Sequence, residues 1–470
     1  MRRRSRVPAA PVSHPTTRFW DDWCVTSMTN PTRSIQPARP WLSEGARNRE
    51  AEIVAGLDLG AVDAIDRRVH ELVEHNSRIH DRECINLNPA SNVMNPRAEL
   101  LLAAGLTTRA SLGHPGDKYE MGLEAIEEIE VIAAELARAV FGADFVELRV
   151  GSGALANLYA FMATCEPGDS IIVPSPEIGG HVTHRPDGAA GWYGLDIHEC
   201  PVDPSTFSVD LDALSDLADR VRPRLITIGT SLNLRPHPVD EIRAIAGRVG
   251  ARVLFDAAHA CGMFAGGVWP NPLTHGADLL TMSTYKSLGG PAGGLVLTND
   301  PELAARLDAI AYPGLTANFD VAKTAALAIT LLDWMAFGPA YAEAMVDNAV
   351  RLATELERLG LPVYRTGSRP TTSHQLAIDA TRLGGGHEAA RQLRTANLLA
   401  CAIGLPGLGE MAGLRLGTPE ITRIGMTPDD MPELATLIVD GLSDPFTAAD
   451  VAARTTRLRQ RFDKIVFVRS

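Results

Sequence analysis

The chain has 470 residues, of which 45% are hydrophobic and 21% charged, a balance typical of a globular enzyme rather than of a fibrous or disordered protein. Its formal net charge of -13 argues against a nucleic-acid surface, because phosphate contacts need clustered Lys and Arg. The six cysteines are scattered without a CxxC pair, so neither a disulfide framework nor a zinc site is indicated and a reducing cytoplasm is expected. We expect no nucleic-acid, membrane or metal partner.

The N-terminal segment, residues 1–45, is rich in Pro, Ser, Thr and Arg and lacks apolar periodicity. Such a segment cannot bury a core, so we expect a disordered arm or a start-site extension, with Met28 as an alternative start. The basic run Arg2–Arg4 is not followed by an unbroken apolar stretch, so no secretory signal is predicted. Residues 46–110 are predicted to form an N-terminal arm with helices.

Residues 111–332 carry the pattern of a large α/β domain. Apolar residues recur at helical spacing from Leu123 to Val140 and stop at Gly142, which predicts an amphipathic helix with a glycine cap. Short apolar runs then alternate with helical patterns, which indicates a mostly parallel sheet with helices on both faces. These runs are Ile171–Val173, Leu225–Ile228, Val253–Phe255, Leu279–Met282 and Leu295–Leu297.

The C-terminal part, residues 333–470, is predicted to be a smaller α+β domain. Helical patterns dominate there, with short strand candidates such as Gln375–Ile378. A chain of this length favours a large and a small domain with a ligand near their junction. In the large domain, function is expected at the carboxyl ends of the parallel strands.

A glycine-rich turn, Gly151–Asn157, lies between a predicted strand and a predicted helix. Backbone N–H groups at the N-terminus of such a helix are suited to a phosphate. The alternative is an ordinary tight turn, since glycines between strand and helix are common.

An acid follows another predicted strand, because Asp256 ends the run Arg252–Asp256 and His259 comes three residues later. The alternative role of such an acid is a helix cap. A carboxylate at this edge also suits the ring nitrogen of pyridoxal phosphate (PLP), which it keeps protonated by Coulomb attraction and a hydrogen bond.

A lysine occupies the corresponding position after the next strand. Lys286 follows the run Asp278–Met282 and is surrounded in sequence by small residues. An apolar setting favours the uncharged, nucleophilic form of the amine. The alternative is a solvated surface residue, as most lysines are. Ser283 is within reach of a bound phosphate. The phosphate turn, the acid Asp256 and the lysine together predict a PLP enzyme, in which Lys286 holds the cofactor as a Schiff base.

Two further side chains are candidates for the site. Arg415 lies in the smaller domain, where its guanidinium is suited to grip a substrate carboxylate, unless it is a surface arginine in a turn. His181 is a candidate to lie flat against the cofactor ring, although a lone histidine is more often structural.

These segments together resemble the serine (glycine) hydroxymethyltransferase family from Ile85 to Leu442. The resemblance is carried by the stretches Gly113–Tyr119, Phe141–Asp144, Ser152–Gly153, Glu166–Asp169, Gly179–His184, Asp256–His259, Pro270–Pro272, Lys286 with Gly289–Gly294, and Arg415–Pro419 with Thr422–Arg423. It implies the aspartate-aminotransferase fold, with a large domain around a mostly parallel seven-stranded sheet, and a homodimer or tetramer with shared active sites.

The resemblance also implies a role for each matching residue. Lys286 would bind the cofactor, Asp256 its ring nitrogen and His259 its ring hydroxyl. His181 would stack on the ring. The other implied contacts are Ser152, Gly153 and Ala154 with the phosphate, Ser231 near the ring, Arg415 with the substrate carboxylate, and Tyr119 with the active site of the neighbouring subunit.

The chain departs from the family at several positions. Ser91 falls where an ungapped comparison places the family's catalytic glutamate, and it cannot shuttle a proton as a carboxylate does. At the folate site, Pro176 and Val182 replace leucines and Ile403 replaces an asparagine, which leaves folate's polar edge unpaired at a cost of about 1–3 kcal/mol per buried group. Tyr285 replaces the histidine before the lysine. In addition, the segment 313–318 stands where the family has a glycine-rich loop, which in the family touches the cofactor phosphate bound by the partner subunit.

The predicted function is therefore a folate-independent aldol cleavage or transfer on a β-hydroxy-α-amino acid of the threonine, phenylserine or α-methylserine type. Arg415 would fix the carboxylate, and the base that takes the hydroxyl proton would be His181, His184 or Tyr285. Three alternatives remain open. They are a folate-dependent hydroxymethyltransferase using Glu99 or Glu120, another PLP reaction such as transamination, and a PLP-binding protein without turnover.

Overall fold

The computed structural model describes residues 39–443 and 448–470. The described residues divide into two units, with the boundary between Ile79 and His80. Most of the extension predicted over 1–45 lies outside the described residues, as does the alternative start at Met28.

The described part of the first unit is helical. It contains α1 (Glu44–Ala55) and α2 (Val62–Ser77). Ser43 is the N-cap of α1, where its Oγ accepts a hydrogen bond from the backbone N–H of Ala46 at 3.3 Å. Such a cap satisfies one of the backbone donors that a helix start leaves free.

The second unit opens with short elements and then alternates strands with helices. The opening elements are β1 (Ile85–Asn86), α3 (Pro96–Leu101), β2 (Gly113–His114) and β3 (Asp117–Lys118). The alternating elements are α4 (Glu124–Phe141), β4 (Phe145–Val150), α5 (Gly153–Thr164), β5 (Ser170–Pro174), α6 (Ala189–Trp192), β6 (Asp196–Cys200), β7 (Val202–Asp203), β8 (Ser208–Val209), α7 (Leu211–Val221), β9 (Leu225–Ile228), α8 (Val239–Val249), β10 (Arg252–Asp256), α9 (Cys261–Ala265), β11 (Leu279–Ser283), β12 (Gly294–Thr298) and α10 (Pro301–Ala309).

A seven-stranded sheet forms the centre of this unit. Its strand order is β4, β12, β11, β10, β9, β5, β6, and β12 runs antiparallel to both of its neighbours while the other pairs are parallel. The predicted mostly parallel, seven-stranded α/β sheet is confirmed. Strands β9 and β11 are buried along their whole length, which is why their sequences are continuous apolar or small-polar runs rather than alternating ones.

Helix α4 confirms the predicted amphipathic helix. Its buried positions include Ile126, Ala133, Ala137 and Phe141, spaced to lie on one face. The helix ends at Gly142, whose φ of 61° is the left-handed conformation that glycine adopts without strain.

The C-terminal part of the second unit contains a long helix and a smaller sheet. Its elements are α11 (Val321–Arg358), β13 (Gln375–Asp379), α12 (Gly386–Thr395), β14 (Leu398–Leu399), β15 (Cys401–Leu405), β16 (Gly409–Gly417), α13 (Pro419–Arg423), α14 (Met431–Ser443) and α15 (Ala448–Arg459). β13, β16 and β15 form an antiparallel sheet in that order, and β14 pairs with β1 in parallel. The predicted division between 332 and 333 falls inside α11, and the domain limits remain predictions.

Helix α11 is the one described helix that is long and apolar enough to cross a membrane by length and composition. Within its most apolar window, 67% of the residues are buried inside the fold. Trp334 and Tyr341 pack there against the same core as the central sheet. The apolar character of α11 is therefore accounted for by packing.

Candidate active site

Segments that follow strands β4, β5, β9, β10 and β11 line a cavity of about 150 Å³ at one edge of the central sheet. The carboxyl ends of these strands meet there, because β4 and β11 are both antiparallel to β12. The lining residues are Ser152, Gly153, Ala154, Asn157, His181, Thr230, Ser231, Asp256, Ala258, His259, Ser283, Tyr285 and Lys286. Most of the predicted site residues thus come together in one place.

Lys286 is buried, with 6% of its surface exposed. Its Nζ lies 3.1 Å from Nε2 of His259. Burial lowers the pKa of Lys286 to about 8, because the charged ammonium loses its water, and the opposing attraction of Asp256 is smaller. A much larger fraction of this amine than of an ordinary lysine is therefore uncharged near neutral pH, which favours its action as a nucleophile.

Asp256 is buried at the end of β10, and each of its carboxylate oxygens accepts one hydrogen bond. Its Oδ1 accepts from the N–H of Ala258 at 3.0 Å, and its Oδ2 accepts from Nδ2 of Asn157 at 2.9 Å. These two bonds fix the plane of the carboxylate at the cavity wall. The residue is 6% exposed and lines the same cavity as Lys286.

Asn157 is a site residue that the sequence analysis missed. It is 2% exposed, and its Nδ2 donates both to Asp256 and to Oγ1 of Thr183 at 2.9 Å, while its Oδ1 accepts from Oγ1 of Thr281 at 2.7 Å. The available signal was a lone amide in the otherwise apolar helix α5, one turn from its start. A buried polar side chain in such a helix needs partners, and here they are the site itself.

The start of α5 forms the predicted phosphate turn. Ser152 is the N-cap, and its Oγ accepts from the N–H of Leu155 at 3.2 Å. A Cβ on Gly153 would lie 2.1 Å from Oγ of Ser283, so only glycine fits between the helix start and the end of β11. The free N–H groups of this 12-residue helix and the hydroxyl of Ser283 therefore face the same small space.

The tautomer of His181 follows from its hydrogen bonds. Its Nδ1 accepts from the backbone N–H of Thr183 at 3.3 Å, and an N–H can only donate, so the ring proton sits on Nε2. Burial lowers the pKa of His181, and the positive charges of Lys286, Arg185 and Arg415 add to this against the attraction of Asp256. The ring is thus neutral, and its Nε2–H is the polar group left for the cavity.

His184 and Tyr285, the other two predicted bases, differ in position. His184 is 1% exposed, does not line the cavity and packs edge-on against Phe161. Burial lowers the pKa of His184 to about 4. Tyr285 lines the cavity, and among the described residues its hydroxyl has no hydrogen-bond partner.

Arg415 comes to the site from the smaller sheet. It lies in β16, is 6% exposed and donates from Nη1 to the backbone carbonyl of Ser231. Its Nε and Nη2 contact Sγ of Cys401 in β15 at 3.2 Å and 3.1 Å. The guanidinium is close enough to Lys286 to lower the pKa of that amine.

Ser91 and Tyr119 do not line the cavity of their own chain. Oγ of Ser91 accepts a hydrogen bond from Nδ2 of Asn86 at 2.9 Å. The side chain of Tyr119 is 79% exposed. Their proposed roles at the site remain predictions.

The two acids considered as substitutes for the missing glutamate also lie away from the cavity lining. Glu99 is exposed on α3. Glu120 uses its Oε2 to accept from the N–H of Leu112 at 3.1 Å. Neither is placed to exchange a proton with a group in the cavity of the same chain.

Ile403 lies in an apolar cluster with Ile178, Leu232 and Leu405. It is 6% exposed. A polar ligand edge at this position would be desolvated against hydrocarbon without a hydrogen-bond partner. Ile403, which stands where the family has an asparagine, is therefore part of an apolar cluster and offers folate no hydrogen-bond partner.

The residues of the cavity fit PLP. Lys286 offers an amine of lowered pKa for the aldehyde, Asp256 a buried carboxylate for the ring nitrogen, and the start of α5 free N–H groups for the phosphate. Gly153 leaves room for that anion at a point that a side chain would fill. When bound, PLP supplies a conjugated ring that accepts the electron pair of a bond broken at the substrate's α-carbon.

The fold and the site define a PLP-dependent enzyme of the α/β class. The family model for serine hydroxymethyltransferase matches residues 62–438, which is most of the chain. The chain belongs to this family, and PLP is its cofactor. Like other enzymes of the family, it acts on a small amino-acid substrate, and the family is generally oligomeric.

The chain is similar to curated proteins with two different names. The chain is 59% identical over 427 residues to an alpha-methylserine aldolase of Variovorax paradoxus, covering 89% of this chain and 97% of that protein. It is 52% identical over 435 residues to an alpha-methylserine aldolase of a Ralstonia species, covering 92% and 99%. It is 35% identical over 404 residues to a serine hydroxymethyltransferase of Staphylothermus marinus, covering 85% and 92%.

Proposed function

We propose that this chain catalyses the aldol cleavage of α-methylserine to alanine and formaldehyde without folate. In this reaction the hydroxyl proton leaves, the electron pair of the Cα–Cβ bond stays with Cα, and a proton returns to Cα. The observation that carries the proposal is the retention of the lysine–acid–arginine site in a chain 59% identical to an alpha-methylserine aldolase. The sequence independently predicts a β-hydroxy-α-amino acid as the substrate.

The chemistry of α-methylserine agrees with the site. Its α-carbon carries no hydrogen, so a reaction that begins by removing an α-proton, such as transamination, cannot start on it. Cleavage of the Cα–Cβ bond needs only that the hydroxyl proton be removed and that the bond lie where the bound cofactor accepts its electrons. The chain's part is then to hold the carboxylate and to orient that bond.

We assign the residues of the site as follows. Lys286 holds the cofactor, Asp256 binds its ring nitrogen, and His259, which is 3.1 Å from Lys286, lies at the ring hydroxyl. His181 lies against the ring and Ser231 beside it. The phosphate is held by Ser152, Gly153, Ala154 and Ser283.

Arg415 is assigned to the substrate carboxylate. Buried charges need partners, and the described residues give this guanidinium a thiol and a carbonyl but no carboxylate. A bidentate carboxylate would complete its hydrogen bonds. Replacement by lysine is expected to be poorly tolerated, because an ammonium lacks the planar fork.

Independence from folate is supported by the surroundings of Ile403. Its apolar cluster offers hydrocarbon where the family resemblance expects an amide for folate. The neighbouring 176–182 segment has Pro176 and Val182 in place of leucines. The energetic cost of an unpaired polar edge, about 1–3 kcal/mol per group, supports a reaction in which formaldehyde is released rather than transferred to a carrier.

We further propose a homodimer in which Tyr119 reaches the neighbour's active site. Its side chain is 79% exposed, as expected for a residue that serves another copy. Apolar side chains are also exposed elsewhere in the second unit, including Val131, Phe145 and Leu155. The described cysteines are free thiols, which supports a reducing compartment such as the cytoplasm.

The test uses purified holoenzyme and each enantiomer of α-methylserine. Formaldehyde release in equimolar amount with alanine, unchanged by added tetrahydrofolate, is expected. L-Serine with tetrahydrofolate serves as the competing assay. Rapid folate-dependent turnover of serine without formaldehyde release from α-methylserine would overturn the proposal. Lys286→Arg is the inactive control.

A further inference from the structure

A thiol holds one edge of the Arg415 guanidinium. Cys401 and Arg415 are direct partners across the antiparallel strands β15 and β16, so their side chains project to the same face. Sγ of Cys401 lies 3.2 Å from Nε and 3.1 Å from Nη2 of Arg415. Because a guanidinium only donates, the sulfur accepts from both nitrogens.

The orientation of this thiol is itself fixed. Sγ of Cys401 lies 3.2 Å from Oδ1 of Asn88, and that oxygen also accepts from the N–H of Ala90 at 3.0 Å. The backbone donor identifies this atom as the amide oxygen, which can accept the S–H of Cys401. The other acceptor that the described residues place near this thiol, the backbone carbonyl of Arg415, is farther away at 4.0 Å, so the S–H is assigned to Asn88. The sulfur therefore presents its lone pairs to Arg415.

The donors of Arg415 can then be counted. A guanidinium has five N–H groups. The Nε–H and one Nη2–H go to Cys401, and one Nη1–H goes to the carbonyl of Ser231. One N–H on Nη1 and one on Nη2 remain, which is the number that a carboxylate accepts in bidentate fashion.

We propose that Cys401 is a positioning residue for the amino-acid substrate. Its sulfur occupies the Nε edge of Arg415, so that the substrate carboxylate is bound by the remaining N–H groups of Nη1 and Nη2. This inference rests on the proposed function, in which Arg415 binds that carboxylate. It adds that the thiol determines which edge of the guanidinium the substrate meets.

Substitution of Cys401 is expected to affect substrate binding more than turnover. In Cys401→Ala the Nε edge loses its acceptor and, among the described residues, the guanidinium is held only through Nη1 by the carbonyl of Ser231. The KM for α-methylserine is expected to rise about tenfold while kcat changes less than about twofold. Cys401→Ser keeps an acceptor and restores most of the loss. Cys165→Ala, which removes a buried thiol elsewhere in the fold, is the matched control and leaves KM unchanged.

A purely structural role for Cys401 would give a different pattern. It would lower the melting temperature and kcat together, and serine would not rescue KM. That pattern, or an unchanged KM in Cys401→Ala of an active enzyme, overturns the inference. Absence of formaldehyde release from the unmodified enzyme would instead refute the proposed function, so the two failures are distinguishable.

Alkylation of the thiol provides a measurement that does not depend on activity. Iodoacetate would add a carboxylate to Cys401 directly beside Arg415, and the rate is followed by mass analysis of the Cys401 peptide. Saturating alanine, whose carboxylate is expected at the same guanidinium, should slow this alkylation several-fold, and Arg415→Ala should abolish the protection. An alkylation rate that is insensitive to alanine contradicts the inference.

Discussion

Lys286 is a lysine whose burial sets its reactivity. Its pKa is lowered to about 8 from the ordinary 10.5, so between these two pH values it is uncharged where a surface lysine is protonated. The rate at which the apoprotein captures PLP is therefore expected to rise with pH and to level off above about pH 8 to 9. Borohydride trapping at timed intervals, with mass analysis of the Lys286 peptide, measures this rate.

A rate that keeps rising to about pH 10.5 would contradict the lowered pKa. The variant Asp256→Asn tests which groups set the pKa of Lys286. Asp256 is the attractive charge that raises the pKa of Lys286 against desolvation. Removing that charge should move the midpoint of the capture rate to lower pH, whereas a midpoint that moves upward would show that another group controls it.

His181 is expected to be a hydrogen-bond donor rather than a base. Its Nδ1 already accepts from Thr183, and its pKa is lowered by burial and by nearby positive charges, so it stays neutral with the proton on Nε2. Nitrogen chemical shifts of ¹⁵N-histidine-labelled protein should give this tautomer above about pH 6.5, with His181→Gln to assign the signal. The exposed His387, replaced by Gln, is the control whose loss removes a different signal.

A protonated Nδ1, or protonation of His181 above the ordinary pKa of 6.5, would contradict this assignment. If the assignment holds, the base must be sought elsewhere. His184 is buried away from the cavity, so of the three predicted bases Tyr285 is the one that lines the cavity with an uncommitted oxygen among the described residues. Tyr285→Phe then becomes the more informative substitution for proton transfer.

At the scale of elements, the phosphate turn depends on close contact between the start of α5 and the end of β11. A Cβ at Gly153 would meet Oγ of Ser283 at 2.1 Å, so Gly153→Ala must push the two elements apart. Such overpacking costs about 1–3 kcal/mol, which corresponds to roughly 5- to 150-fold weaker PLP binding. Titration of the apoprotein with PLP measures the loss.

The double substitution Gly153→Ala with Ser283→Ala tests the cause. It removes the clashing hydroxyl, and the next contact of the new Cβ is at 3.3 Å, so part of the lost affinity should return. Gly247→Ala, in the last turn of α8 with 3.8 Å from the new Cβ to the nearest side-chain atom, is the control and should bind PLP normally. If the double variant is as weak as the sum of both single losses, the steric explanation is wrong.

The elements were predictable where their signals are local. Strand β9 was predicted over Leu225–Ile228 and observed there, and α4 ends at the glycine that its periodicity indicated, because burial pattern and capping are encoded within a few residues. The positions of Asp256 at the end of β10 and of Lys286 just after β11 were predictable for the same reason, because both strands are short buried runs.

Contacts between distant elements were not predictable in this way. Asn157 bonds an acid 99 positions away, and Arg415 meets a carbonyl 184 positions away. These contacts depend on how α5 packs on β10 and how the small sheet faces the central one, which no short window of sequence specifies. The thiol at Cys401 likewise gains its role from the β15–β16 register, which places it opposite Arg415.

At the scale of the whole molecule, exposed apolar side chains favour assembly. Val131 is 48% exposed, Phe145 39% and Leu155 37%, and Val131 and Phe145 line a common cavity of about 300 Å³ with Phe319. Phe319 also lines the adjoining cavity that contains Leu155 and Leu315, so these side chains form one surface. Apolar patches of this kind are typical of subunit interfaces.

We expect Val131→Asp with Phe145→Asp to convert a dimer into a monomer, because two carboxylates would have to be desolvated within the interface. If Tyr119 serves the neighbouring site, this variant should also lose most of its activity while still binding PLP through residues of its own chain. Sedimentation and PLP absorbance measure the two effects separately. Trp192→Asp, at an exposed aromatic residue outside that surface, is the control. A double variant that sediments as a dimer would show that this surface is not the interface. A fully active monomer would show that each chain completes its own site and that Tyr119 is dispensable.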